Sequence, residues 1–204
     1  KKVKTPKVIK KIKKAKKEFF GFIGSIHEDD PFYERYMAAF IEWYLFDRDL
    51  SGQDMPPVRL YYRKHAKAFS EEENRVYANL ARVRHSLFLI KKVYKDALLI
   101  QDLYDHEKIN IEHEIQTVGF SKGDIFEAIV VPFGDQYTFT KSFFFHPKEA
   151  KSLILAEMKR IANLDFKILL KSMMKFRRFR LKLDRYPHVN PLQIYNEKEF
   201  NRHA

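Results

Sequence analysis

Five basic residues in this 204-residue chain, Lys167, Lys171, Lys175, Arg178 and Lys182, follow one another at intervals of four, four, three and four. On an α-helix that spacing sets all five within one narrow strip of surface. Such a strip can track successive phosphates of a polyanion, and the counterions it displaces make binding weaken as salt rises. Arg177, Arg178 and Arg180 in the same stretch carry guanidinium forks suited to bidentate phosphate contacts. The competing reading is a merely solvated outer face, on a helix whose Phe166, Leu169, Leu170, Met173, Phe176 and Phe179 turn inward. The continuity of the strip keeps the polyanion reading in play.

A second concentration of cations opens the chain. Its first 17 residues hold ten lysines and no acid, and residues 167–185 hold eight basic residues against Asp184. These stretches contribute +10 and +7 to a formal net charge of +12, which leaves −5 for the remainder. The molecule is therefore a mildly acidic body with two basic segments, and such patches attract nucleic acid, anionic lipid headgroups or an acidic protein face. Lys10, Lys13, Lys14 and Lys17 are the candidate contacts in the first segment. The apolar side there includes Phe19, Phe20, Phe22 and Ile23, more than a nucleic-acid arm alone requires. Packing onto this protein or a partner, nucleic-acid binding and membrane-surface binding all stay open, the membrane being the least expected.

Catalytic chemistry has little to build on. There is no cysteine, which excludes disulfides, thiol nucleophiles and thiolate-bound zinc and is compatible with a reducing compartment. His85, His106, His113 and His146 have acids nearby, most densely in Asp105-His106-Glu107 and Glu112-His113-Glu114. Neither cluster has the His-x-x-x-His spacing that presents two ligands from one helix face. The first reads better as a hairpin turn, and His113 is placed on an inward strand face beside Ile111. Phosphate-binding glycine loops, dinucleotide fingerprints and nucleophile elbows are missing from the sequence. A non-enzyme without cofactor or metal is the expectation.

The elements that must position these residues follow from periodicity. Thr5-Pro6 reads as an N-cap and first turn, and Val8, Ile12, Ala15, Phe19, Phe22, Ile23 and Ile26 recur at helical spacing beyond it. Phe32 to Phe46 is apolar almost all round, as a core helix is. Asp49 to Pro57 has loop chemistry, a short helix follows over Val58 to Ala68, and Ser70 with Glu73 forms a capping-box pattern opening another. From Ser86 the period changes to two. Ser86–Tyr94, Leu98–Tyr104, Lys108–Ile115, Asp124–Pro132 and Gln136–Phe145 read as five strands, consistent with a bent meander or small barrel of SH3-like or OB-like size. The aromatics of this region, Phe88, Tyr94, Tyr104, Phe126, Tyr137, Phe139, Phe143, Phe144 and Phe145, are expected mainly in the core. If some face outward they would offer base-stacking platforms.

After His146-Pro147 come two more helices, one with the stripe Ala150, Leu153, Ile154, Met158 and Ile161, the other running from Phe166 to about Leu183. The predicted organisation is a helical region over 1–84, an antiparallel β-domain over 85–146, a helical pair over 147–185 and an irregular tail over 186–204. The fold class is α+β: a helical N-terminal part, a five-stranded antiparallel small barrel-like β-domain and two C-terminal helices.

Three short stretches carry a resemblance. Phe40-Ile41-Glu42-Trp43-Tyr44-Leu45-Phe46-Asp47-Arg48, Lys122-Gly123-Asp124-Ile125 and Phe144-Phe145-His146-Pro147 together resemble an uncharacterised group of bacterial proteins. In that group an aromatic Trp-x-x-x-Asp helix precedes a small β-domain with a Gly-Asp turn. The resemblance spans roughly residues 30–160 and implies the architecture, with no activity or site residue to carry over. Some members carry a Cys-rich metal-binding tail, which these 204 residues, without cysteine, do not include.

The sequence thus predicts a cytoplasmic, non-catalytic module whose Lys10, Lys13, Lys14, Lys17, Lys167, Lys171, Lys175, Arg177, Arg178 and Lys182 engage a polyanion, foremost nucleic acid, with little reading of base sequence. The alternative is a protein-interaction or regulatory module in which the lysines mainly solvate. No apolar run approaches the ~20 residues that span a bilayer. Whether the two basic segments share one surface decides between the readings.

Overall fold

A computed structural model describes residues 5–112, 119–162 and 164–202. Helix α1 (Thr5–Ile23) buries Ala15, Phe19 and Ile23, spaced by four, against α2 (Tyr33–Phe46), which contributes Tyr36, Ala39, Phe40 and Trp43. Ile9 and Ile12 are exposed, as is Phe22, so α1 is clear of the body over residues 9–14. Phe19 packs on Phe40 and Trp43 with ring centroids 5.7 and 5.2 Å apart. A short pair, α3 (Pro57–His65) and α4 (Glu71–Leu80), follows. The capping box forms as read, with Ser70 accepting from the Glu73 N–H and Glu73 accepting from the Ser70 N–H.

The sheet comprises β1 (Arg84–Val93), β2 (Ala97–Asp102), β3 (Lys108–Glu112), β4 (Ile125–Phe133), β5 (Gln136–Phe139) and the two-residue β6 (Phe144–Phe145). Every pairing is antiparallel, in the order β3-β2-β1-β4-β5, with β6 also on β4. Central β1 pairs with β2 and β4, and β3 approaches β5, so the sheet curls into a half-barrel rather than the meander that chain order suggests. One face, with Phe88, Ile90, Leu98, Ile100, Ile109, Ile111 and Phe126, fills the interior. The last expected strand divides, because Thr140 to Phe143 leave the ladder between β5 and β6. His113 and Ile115 lie outside the described residues.

The β1–β2 ladder is irregular between Ile90 and Lys92, and the Gly-Asp turn fits beside this bulge. The N–H of Gly123 donates to the Ile90 carbonyl at 2.8 Å and that of Ile90 to the Asp124 carbonyl at 3.0 Å. Gly123 has φ +91°, which a side chain at this position would resist.

Helices α5 (Lys151–Ile161) and α6 (Phe166–Arg185) cover the other sheet face. Leu87 and Ile125 meet Ile154, Met158, Leu169, Met173 and Phe176 there. The predicted irregular tail is instead docked as α7 (Pro191–Ile194) and α8 (Glu197–Arg202). Ile194, Tyr195 and Phe200 are buried in the same cluster, and three apolar anchors on one short segment outweigh the local preference of its prolines for loop. Among the described residues no helix is long and apolar enough to cross a membrane.

Candidate functional site

Helix α6 is the axis of the site. Its Asp165 cap accepts from the Lys167 N–H at 2.7 Å. One side (Leu169, Met173, Phe176, Phe179) seals the sheet-facing core, while Leu181 and Met174 turn towards α1 and α2. Helix α1 lies beside it in the same sense. The Phe19 ring sits 5.4 Å from the Arg177 guanidinium, Gly24 faces Leu181, and the Ser25 carbonyl accepts from Arg185.

Where the exposed sides of these helices meet, a groove of about 700 Å³ opens. Gly21 and Phe22 of α1, Trp43 of α2 and Met174 of α6 supply apolar walls, Lys171, Lys175 and Arg178 supply three cations, and a fourth, Arg160, is paired with Glu157 at 2.7 Å. Lys171 is exposed and has no acidic partner among the described residues, and the same holds for the half-buried Arg178. Lys175 lies 4.4 Å from the Phe200 ring centroid. Burial pushes its ammonium below the ordinary lysine range, Glu157 opposes that, and Arg160 and Lys171 reinforce it. A cationic site with a surplus of positive charge and one ammonium already disfavoured is improved by an anion.

The ends of the predicted strip are partly neutralised. Lys167 is 3.0 Å from Asp49 and Lys182 is 3.7 Å from Glu199, both partly exposed pairs of small energetic weight.

Lys10, Lys13, Lys14 and Lys17 are all exposed. Lys17, Lys14 and Lys10 precede the groove-lining Gly21 by four, seven and eleven residues, which keeps them within ~40° of it around the helix axis. Lys13, eight residues before Gly21, is turned ~80° aside. Lys10, Lys14 and Lys17 thus share the line of α1 that reaches the groove at Gly21, and Lys171, Lys175 and Arg178 line the groove from α6.

Two arginines do not belong to that face. Arg177 is only 2% exposed, pairs with Glu127 of β4, and lies 3.3 Å from His85 of β1. It cannot meet a phosphate, and its place in the predicted contact set is corrected. Its neighbour Arg178 faces the groove, but its own side chain turns to β1 and β4. Arg180 is held by Asp184 at 3.0 Å and donates to the Phe145 carbonyl at 3.1 Å.

Around Arg177 lies a buried polar network that sequence reading did not anticipate. His85 faces Asp47 through Nδ1 at 2.6 Å and Glu127 through Nε2 at 3.0 Å. Asp47 follows Trp43 by one helical turn, so the Trp-x-x-x-Asp motif places an indole in the groove and a carboxylate in the network. Burial raises the Glu42 carboxyl, while the Thr140 and Ser142 hydroxyls, His85 and Arg177 oppose the rise. Burial likewise lowers Arg177 to about 10, against the pull of Asp47 and Glu42. The network ties α2, β1, β4 and α6 together, and its enclosure keeps it from acting on a substrate. The only signal for it was a histidine at a strand start facing an acid at a helix end.

His106 and His146 lie apart from that network. His106 occupies the tight β2–β3 turn with φ +66°, as its Asp-His-Glu context suggested. His146 is buried with Nδ1 3.0 Å from the Tyr195 hydroxyl. Among the described residues no group of three or more His, Asp and Glu is placed to hold a metal.

The β-domain aromatics are mostly committed to packing. Phe126 contacts Phe88, Phe139, Phe143 and Phe145 with centroids 5.5 to 6.0 Å apart, and Tyr104 meets Phe166. Of the aromatics named as stacking candidates, Tyr94 is the one exposed.

A family of unknown function, DUF7986, matches residues 6–182, so the chain belongs to that family. No curated protein and no solved structure matches it.

Proposed function

We propose that this member of DUF7986 is a non-catalytic module that holds a nucleic-acid backbone along the joint face of α1 and α6, through phosphate contacts with little sequence specificity. The observation that supports the reading is the alignment of three α1 lysines with a cation-lined groove. Lys10, Lys14 and Lys17 run along the line of α1 that enters the groove at Gly21, and Lys171, Lys175 and Arg178 enter it from α6. A face needed only for solubility has no reason to line a concavity with Lys171, Lys175 and Arg178 and to continue the row of cations along α1, at a cost in like-charge repulsion. Phosphates relieve that repulsion. The test is titration of labelled nucleic acid with the intact chain and with the Lys171→Glu/Lys175→Glu/Arg178→Glu form, binding by the first and not the second being expected.

A second reading, a protein-interaction module, is favoured by Ile9 and Ile12, which α1 leaves exposed at 47% and 40%. Apolar residues standing clear of the core on a basic helix suit an acidic, amphipathic partner helix. Replacing both by serine separates the readings: nucleic-acid binding survives the change and docking of such a partner does not.

A further inference from the structure

Resting on the nucleic-acid reading, we infer that the groove is a seat for an unstacked base, so that the ligand is single-stranded nucleic acid and not duplex.

The argument starts from shape. Phosphates of a duplex lie on the outside of a rod, and a flat row of cations suffices to meet them, whereas the faces of its bases stay stacked and covered. Here the cations surround a concavity of about 700 Å³ with apolar walls, within the ~300–1,000 Å³ of sites that enclose small ligands. Charge explains the rim and not the walls. Phe22 stands at the mouth, 57% exposed although aromatic, and Trp43 and Met174 lie within. Aromatic and apolar surface beside backbone-binding cations is what splayed bases require, since every base offers a stacking face.

Gly21 completes the picture. It sits on α1 with nothing within 4 Å of where a Cβ would be, so the chain leaves free space at the groove wall. No positive φ explains the glycine there, and in the last turn of α1 it still lowers helix stability relative to alanine.

The chemistry that would recognise this ligand is therefore a strand with phosphates on Lys171, Lys175 and Arg178 and a base against Phe22. An amphipathic lipid phosphate is the competing occupant, and the experiment includes it.

The experiment titrates the full chain against fluorescein-labelled oligothymidylate, a labelled duplex of mixed sequence, and anionic phosphatidylglycerol vesicles. Phe22→Ala and Gly21→Leu are compared with the unaltered chain. Phe22 is exposed and leucine favours helix over glycine, so neither change threatens folding. The unaltered chain is expected to bind the duplex more weakly than oligothymidylate, and each variant to lower oligothymidylate affinity about tenfold, the order of one lost stacking contact or a blocked seat, without changing that weaker duplex binding. Equal loss for duplex and single strand, or no loss for either, overturns the base seat while leaving the phosphate-binding reading standing. Vesicle binding that depends on Phe22 without oligothymidylate binding overturns both. Absence of nucleic-acid binding by the unaltered chain also overturns both.

Discussion

Arg177 and Arg178 are adjacent in sequence and opposite in situation: the first is enclosed between Glu127 and His85, the second opens onto the α1–α6 groove. Removing the first leaves the buried carboxylate of Glu127 without its cation. Arg177→Ala is expected to destabilise the fold by about 3–5 kcal/mol, and Arg178→Ala to stay within about 0.5 kcal/mol. Urea denaturation of the two variants checks this, and similar midpoints would contradict the division of roles.

The docked C-terminal segment yields a second expectation. Phe200 packs against Phe176 at 4.9 Å and Phe179 at 6.2 Å between centroids. Phe200→Ala should cost about 3–5 kcal/mol, and thermal melting reads it directly. A dispensable tail would leave the melting temperature unchanged.

Acid should weaken the fold through His146. Burial lowers its imidazole to about 3, with Arg180 adding to the effect, from an ordinary 6.5. Between these values the unfolded chain binds a proton that the folded one does not, so stability is fully present above pH 6.5 and declines as pH falls towards 3. The slope from this residue is about 1.4 kcal/mol per pH unit. Denaturant midpoints between pH 7 and 5, where few carboxylates titrate, should fall in the unaltered chain and fall less in His146→Gln. Parallel pH profiles would contradict the assignment.

Much of the fold was legible because its local signals agree with one another. Ser70 and Glu73 mark a helix start in the sequence and form it in space, and Ile109 and Ile111 alternate with polar residues as an inward strand face must. What escaped was set by contacts distant in sequence. Arg177 follows the inward-facing Met173 by four residues, a hint of its side of the helix, but an arginine there stays buried only because Glu127 in β4 and His85 in β1 meet it. The strand order was hidden for the same reason, β4 returning to β1 rather than to β3. The cations at 171, 175 and 178 could be read from spacing alone, but the groove they face requires Phe22 and Trp43 from other helices.

The open wall at Gly21 should also show in stability. Gly21→Ala adds a methyl group where nothing obstructs it and is expected to stabilise α1 by about 0.5–1 kcal/mol. Chemical denaturation measures the gain. A loss would mean that the position is more constrained than its open surroundings imply.

The most direct test of the nucleic-acid face is fluorescence anisotropy of a labelled single-stranded oligonucleotide between about 50 and 200 mM salt, with the intact chain and its Lys171→Glu/Lys175→Glu/Arg178→Glu form. If Lys10, Lys14, Lys17, Lys171, Lys175 and Arg178 each neutralise a phosphate, log affinity falls against log salt with a slope of about −4. The charge-reversed form then loses binding across that range. No binding by the intact chain at low salt, or equal binding by both forms, would contradict the account and direct attention to a protein partner of α1.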